Sequence, residues 1–405
     1  MRLRKTDRSV QVDTGPLQFQ IDSHGNLTRF RLKDRPLSAG DAVCETIACD
    51  ADGVDYSTRH AVAKITVEEE GPVRAVIKVA SDLRDASGKR LFRIEKRVEA
   101  CAGQTFLRIH HTLVVDRSDS KFVELERLAY RVPGPGLAAA WRVPAVRGRV
   151  TLDDALPRVW QQFDNAFVLE PTRKSAAGPA TGRLVGAAIS TAPSGCAVAV
   201  RDFWQNYPKG FALQSGAIDV ELCPDFEPGL YDKFPFEKEG HHLYYYLLNG
   251  RYKIKRGVAK THELLLCFSP VEQREAVCRL FQRPPLATAP PRWYCDSKAF
   301  YDVAPRNPDQ FRLYEQAIDR NLKAYVQHRE RQHDYGMLNY GDWYGERGSN
   351  WGNIEYDTQH AFFLEYIRSG RPEAFYLGEV TELHNRDVDT VHFSPDPQNV
   401  GAVYV

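Results

Sequence analysis

Methionine is nearly absent: two in 405 residues leave little of the flexible, polarisable side chain that adaptable peptide-binding surfaces use. An excess of either charge is absent too. Lys and Arg number 54 against 53 Asp and Glu, a net charge of +1 with no long like-charge run, which argues against a nucleic-acid partner. No apolar run approaches the roughly 18 residues of a membrane span, and the basic start, MRLRKTDRSVQVD, has no apolar stretch behind it as a secretory leader would. A soluble, cytoplasmic protein without a membrane partner is the expectation, with secretion as the alternative should the true N-terminus lie upstream. The eight cysteines form no CxxC pair and no dense framework, and several sit in apolar strand contexts, as Cys267 does in LLLCF. Buried free thiols are the favoured reading, with two or three disulfides as the alternative. His384 and His392 lie two turns apart rather than four residues apart and lack an obvious third ligand. No cofactor is expected, although a divalent cation such as calcium stays open.

At this length two or three domains are expected. Residues 1–140 alternate apolar and polar between turn signals, as strands with one buried face do; PLQFQID places Leu17, Phe19 and Ile21 on one side. His110 and His111 point to opposite faces of their strand. From 141 to 270 the strand pattern continues with more loop. Two stretches there carry more than packing. RDFWQNYPKG (201–210) offers Arg201, Trp204, Asn206, Tyr207 and Lys209 in one turn, and in KIKRGVAKTHELL (253–265) a period of two puts Arg256, Lys260 and His262 on one face. That face reads either as a solvated edge or as the wall of a site. Residues 271–292, a short helix followed by a tail with four prolines, read as a linker. A helical period then takes over for 293–405. Asn307-Pro308 predicts a cap and first turn, Phe311, Tyr314, Ile318, Leu322 and Tyr325 a stripe, and 372–392 a further helix.

The densest polar and aromatic stretch is NYGDWYGERGSNWGNIEYDTQHAFFLEYIRSG (339–370). Recurrent glycines exclude a regular element in its first half. Its second half predicts a helix capped by Asp357 or Thr358 and stopped by Gly370 before Arg371-Pro372. Asn339, Tyr340, Asp342, Trp343, Asn350, Trp351, Asn353, Glu355 and Tyr356 are candidate saccharide-binding groups, because a loop that only covers a core does not need so many amides and carboxylates among its rings.

With VDTGPLQFQID and GPVRAVIKVA, RDFWQNYPKGF and GRYKIKRGVAKTHELLL, and the 339–370 stretch, the chain resembles the exo-rhamnogalacturonan lyase family, polysaccharide lyase family 26, and related YetA-type bacterial proteins along nearly all of its length. The resemblance implies a multi-domain β plus α protein: an N-terminal RIFT-type β-barrel (1–140), a central β-sandwich (141–270) and the start of a C-terminal (α/α) toroid (293–405). Family members are about twice as long, so a toroid incomplete within this chain is expected. It also implies β-elimination on a pectic oligosaccharide, in which a base removes the proton at C5 of a galacturonic acid while cations or donors neutralise its carboxylate. Lys260, His262 and Tyr340 are the candidate bases. Lys209, Arg256, Asn339, Asn350 and Asn353 are candidate neutralisers, with Arg201 and Tyr207 beside them, and Trp204, Trp343 and Trp351 candidate stacking platforms. Competing readings are a glycoside hydrolase drawing two carboxylates from Asp342, Glu346, Glu355 and Asp357, and a non-catalytic saccharide-binding protein. A cleft is expected in which Lys209, Lys260 and His262 face the 339–356 loop.

Overall fold

Alternation of apolar and polar residues becomes antiparallel sheet throughout the first two thirds of the chain. The computed structural model describes residues 1–6, 8–33, 35–37, 42–134, 138–172, 179–232, 246–342, 353 and 356–403. One sheet runs, in spatial order, through strands Lys64–Glu70, Arg74–Arg84, Arg90–Cys101, Phe106–Val114, Ala259–Cys267, Ala197–Val200, Ala187–Ser190, Trp141–Pro144 and Arg149–Leu152. A second runs through Val43–Asp50, Phe122–Pro133, Ala217–Cys223, Lys209–Gln214, Arg158–Phe163 and Ala166–Glu170. The meander Arg2–Lys5, Val10–Asp13, Leu17–Ile21 and Leu27–Leu32 joins the second sheet where Leu27 pairs with Cys44. The two sheets face each other over a core that includes Ile94, Ile109 and Leu264 from the first, and Leu128 and Val220 from the second.

The expected division at residue 140 is therefore corrected. Phe106–Val114 pairs with Ala259–Cys267 over nine residues, and Phe122–Pro133 pairs with Ala217–Cys223, so the strands read as a separate barrel lie within the same two sheets as those of 141–270. The reason is local: Ile109 and Leu264 are both buried on the inner face, and neither strand could bury that face without a neighbour.

The expected linker is corrected as well. Helix α1 (Val271–Gln282) seats Cys278 and Phe281 on Ala187, Ile189, Ala197, Ala199, Leu265 and Cys267, an outer sheet face too apolar to stand in water. Buried Arg274 fastens it, its five N–H donors all going to carbonyls, of Ser269, Ser190, Ala192, Pro193 and Gly195. The extended connection is thus confined to the proline-rich stretch after α1.

Helices α2 (Pro291–Asp296), α3 (Arg312–Gln332), α4 (Thr358–Ser369) and α5 (Pro372–His384) follow. Helix α3 starts later than Asn307-Pro308 suggests. Asn307 Oδ1 instead accepts from the Gln310 N–H (3.1 Å) in a turn before it. Helix α4 covers the stretch read as helix and ends at left-handed Gly370 (φ 72°), but Asp357 at its start is left-handed (φ 49°) and makes no side-chain cap hydrogen bond. Its partner α5 comes close at Gly378, where a Cβ would lie 3.0 Å from the Phe363 ring. Arg368 of α4 ties down α3 through Glu315 (2.6 Å). The expected stripe along α3 is only partly covered: Phe311 and Tyr314 are exposed, and Ile318, Leu322 and Tyr325 are half-buried, while Leu313, outside the stripe, is 76% exposed. On α4, by contrast, Phe362 and Ile367 are buried. All eight cysteines are free thiols.

Candidate active site

Four segments meet at the seam between the sheets and the helices. The first leaves strand Ala197–Val200: left-handed Asp202 (φ 51°) turns the chain back, and the Asn206 N–H closes onto the Asp202 carbonyl at 3.0 Å. The second, 334–342, docks on it through the Gly336 N–H to the Gln205 carbonyl (2.7 Å) and the Met337 N–H to the Tyr207 carbonyl (2.9 Å). Only glycine suits position 336, where φ is 119° and a Cβ would crowd the Tyr246 hydroxyl at 3.2 Å. Glycine is needed again at 341, because a Cβ there would lie 2.4 Å from the Val380 carbonyl and 2.7 Å from the His384 Cβ, so the loop rests directly on α5. The third segment is the π-helical turn Asn385–Asp389 that continues α5, whose buried Asp387 accepts from both the Thr261 N–H (2.6 Å) and its hydroxyl (3.1 Å). Strand Ala259–Cys267 is the fourth.

Burial governs the protonation of this seam. The Lys260 amine is pushed down to about 8 by loss of solvent, opposed by the charges of Asp387 and Asp202. Asp202 rises to about 6 for the same reason, although Arg201 opposes it. Asp334 rises to about 7, held back by Arg329 and helped by Asp342, and neither of its carboxylate oxygens has a hydrogen-bond partner among the described residues. For His384, burial disfavours the cation, but Asp389 (3.4 Å) and Asp342 (3.8 Å) outweigh it and raise the imidazole. Burial lifts the Tyr340 phenol well above its usual range, with Asp202 adding to the effect. Its ring lies against Tyr335 (5.6 Å between centroids) and beneath the Arg329 guanidinium (5.3 Å).

Lys260 (5% exposed) and His262 share a face as read, but that face points between the sheets with Leu264 and Leu266 rather than into open solvent. His262 pairs directly with His111, and His111 with Lys96, forming a basic rung across three strands. Burial, joined by Lys209 and Lys260, drives His262 well below its usual range. Lys209 is wholly buried on the opposite sheet, pushed down to about 7 by burial, and donates to the Leu222 carbonyl at 2.8 Å. Arg256 is corrected: it lies in the turn before the strand, donating to the Ser118 carbonyl (3.2 Å), because left-handed Gly257 breaks the alternation.

Arg201 bridges Glu263 (3.1 Å) and Glu379 of α5 (2.5 Å). Trp204 is no open platform, since the Arg183 guanidinium lies 3.9 Å from its ring and Tyr335 leans on it at 4.8 Å. Tyr207, Asn339 and Asp342 are buried at the seam, and Asn353 donates to the Gly341 carbonyl (2.8 Å). Tyr356 is 64% exposed, and Asp357 is exposed beside it. Trp343, Glu346, Asn350, Trp351 and Glu355 lie outside the described residues. Segments 201–207 and 334–342 thus come together, and Lys260, on the same inner face as His262, feels the charges of Asp202 and Asp387 there, whereas His262 and Lys209 lie farther between the sheets among basic neighbours. Asp202 and Asp334 were missed: each is a lone acid beside a stronger motif, and only burial marks it. His392, weighed with His384 for metal, instead bonds the Arg386 carbonyl (2.7 Å). Among the described residues no group of three or more His, Cys, Asp or Glu is placed to hold a metal ion.

The family model described as the PcRGLX-like protein central beta sandwich domain matches residues 1–133, and that of the PcRGLX-like protein C-terminal alpha/alpha toroid domain matches 284–395, together more than half of the chain. The chain belongs to the PcRGLX-like proteins. The sandwich match falls on the stretch where a separate barrel was expected, in keeping with the continuous sheets. The uncharacterized protein YetA of Bacillus subtilis (strain 168) is 22% identical over 97% of the chain and 55% of its own length, so this PcRGLX-like chain spans about half of that relative. Among solved structures, an alpha-mannosidase from Enterococcus faecalis V583 matches at TM-score 0.41 and 14% identity, over 68% of this chain and 31% of that one. A putative aldose 1-epimerase from Escherichia coli K12 matches at TM-score 0.37 and 10% identity, over 64% and 98%.

Proposed function

We propose that this PcRGLX-like chain carries the catalytic groups of a lyase that cleaves rhamnogalacturonan-type pectic oligosaccharides by β-elimination at galacturonic acid. The observation that carries the reading is Lys260: a buried amine at the end of the inner face nearest the seam, lowered to about 8 and set among the charges of Asp387 and Asp202. A base at C5 needs a lone pair near neutral pH, and of the candidates Lys260 combines a lowered amine with a place beside the acids of the 201–207 segment and the Asn385–Asp389 turn. Tyr340 keeps its proton at neutral pH and suits donation to the departing oxygen. The Asn339 amide and the raised His384 imidazole are positioned to offset carboxylate charge. The family descriptions support the carbohydrate class, and the lyase step is our inference from the site.

Incubation with an acidic, rhamnose-containing oligosaccharide tests it, because elimination leaves a 4,5-unsaturated uronate that absorbs in the ultraviolet. Saturated products would overturn the lyase reading. They would favour hydrolysis instead, for which the raised Asp334 carboxyl beside Asp342 supplies an acid and a carboxylate.

A further inference from the structure

The N-terminal meander buries Val12, Phe19 and Phe30 on one face and turns an ordered array of polar side chains outward on the other. Strand pairing aligns Arg4, Gln11 and Gln20 in one row, which the Arg29 side chain extends by its hydrogen bond to Gln20, and Arg2, Asp13, Gln18 and Arg31 in the next. Each row therefore has a guanidinium at both ends, across three strand spacings or roughly 14 Å, with amides or a carboxylate between. The rows line a concavity of about 760 Å³, walled on one side by Glu70-Gly71-Pro72.

The register is interrupted at one place. Between its pairings with Gln18 and Gln20, strand Leu27–Leu32 carries one extra residue, and Arg29 in that bulge is left-handed (φ 54°). A non-glycine residue in this conformation is strained, and bulges serve to re-aim side chains. Here the bulge turns the Arg29 guanidinium onto Gln20 Oε1 (3.1 Å), in line with its row. Protection of an edge strand would account for charge at Arg2 and Arg4. It does not account for the bulge, for the glutamines, or for Arg29 and Arg31 on a paired inner strand.

We propose that this face is a second saccharide-binding surface, distinct from the seam, that holds an acidic oligosaccharide through carboxylates on the arginines and hydroxyls on the glutamines. Guanidinium groups take carboxylates in bidentate fashion. The one aromatic ring among the lining residues, Phe19, is buried, so neither a neutral sugar nor a nucleic-acid base finds a stacking platform. The proposal rests on the acidic-glycan reading only for the choice of probe.

Calorimetric titration of the whole chain with a de-esterified oligogalacturonate, and with its methyl-esterified counterpart, tests the surface. Wild type and Lys260→Met should bind the acidic form alike, the esterified form should not bind, and Arg4→Gln with Arg29→Gln should weaken binding at least tenfold. Arg2→Gln with Arg31→Gln, also on the exposed face, gives a second reading should the first pair disturb the bulge. Unchanged affinity in both paired variants overturns the proposal, as does binding lost in Lys260→Met alone, or duplex DNA binding more tightly with the same arginine dependence. Failure to form the unsaturated product with arginine-dependent binding intact would sink the lyase reading and leave this surface standing.

Discussion

Lys260 carries the sharpest expectations. Replacement by Met should reduce formation of the ultraviolet-absorbing product by about 10²–10⁴-fold, the usual contribution of a general base. In the unaltered protein the rate should rise as pH passes through about 8, because only the neutral amine accepts a proton. His262→Ala, between the sheets, should cost less than Lys260→Met in the same assay. The buried lysines also set a stability profile. Lys209 is lowered to about 7, and Lys96 and Lys260 to about 8, chiefly by burial. In the unfolded chain they hold their protons to near pH 10, so between pH 7 and 9 unfolding takes up protons and stability should increase with pH. Urea titrations across that window should show the midpoint rising, and Lys96→Met should flatten the rise. The shared face of Lys260 and His262 was legible from period two, but its direction was not: Leu264 and Leu266 alternate with Leu265 and Cys267, so both faces read as apolar.

Helix α1 shows what an element gains from one side chain. Arg274→Ala would strand five carbonyl groups and should destabilise the protein by roughly 3 kcal/mol or more, whereas Leu280→Ala, on the exposed side of the same helix, should stay within about 0.5 kcal/mol. Paired denaturant curves give both values. Gly341→Ala should part the loop from α5, since the added methyl meets the Val380 backbone, and should lower activity more than stability. Helices α4 and α5 were readable from their period and their glycine and proline punctuation. The covering role of α1 was not, because its own sequence is mostly polar and the need for it lies in Ala187, Ile189 and Ala199 far upstream.

For the molecule as a whole, the sheets join what the sequence divides. Local alternation reveals strands but not their partners, and no turn signal could show that Phe106–Val114 finds its neighbour at Ala259–Cys267. Residues 1–140 alone should accordingly lack a cooperative thermal transition, while the sheets with α1 (1–283) should show one by calorimetry. The same pairing has a consequence on the ribosome. Thr112 and Thr261, hydrogen-bonded across these strands at 2.9 Å, are separated by 149 positions. At a synthesis rate of about 5–20 residues per second, the edge of the earlier strand waits roughly 7–30 s for its partner to be made. During that interval each nascent chain offers an unpaired, apolar ribbon to its neighbours on the same message. Yield in the cell should then fall when translation between these strands is slowed, and should depend on chaperones that shield nascent chains more than the equilibrium stability of the finished protein would suggest.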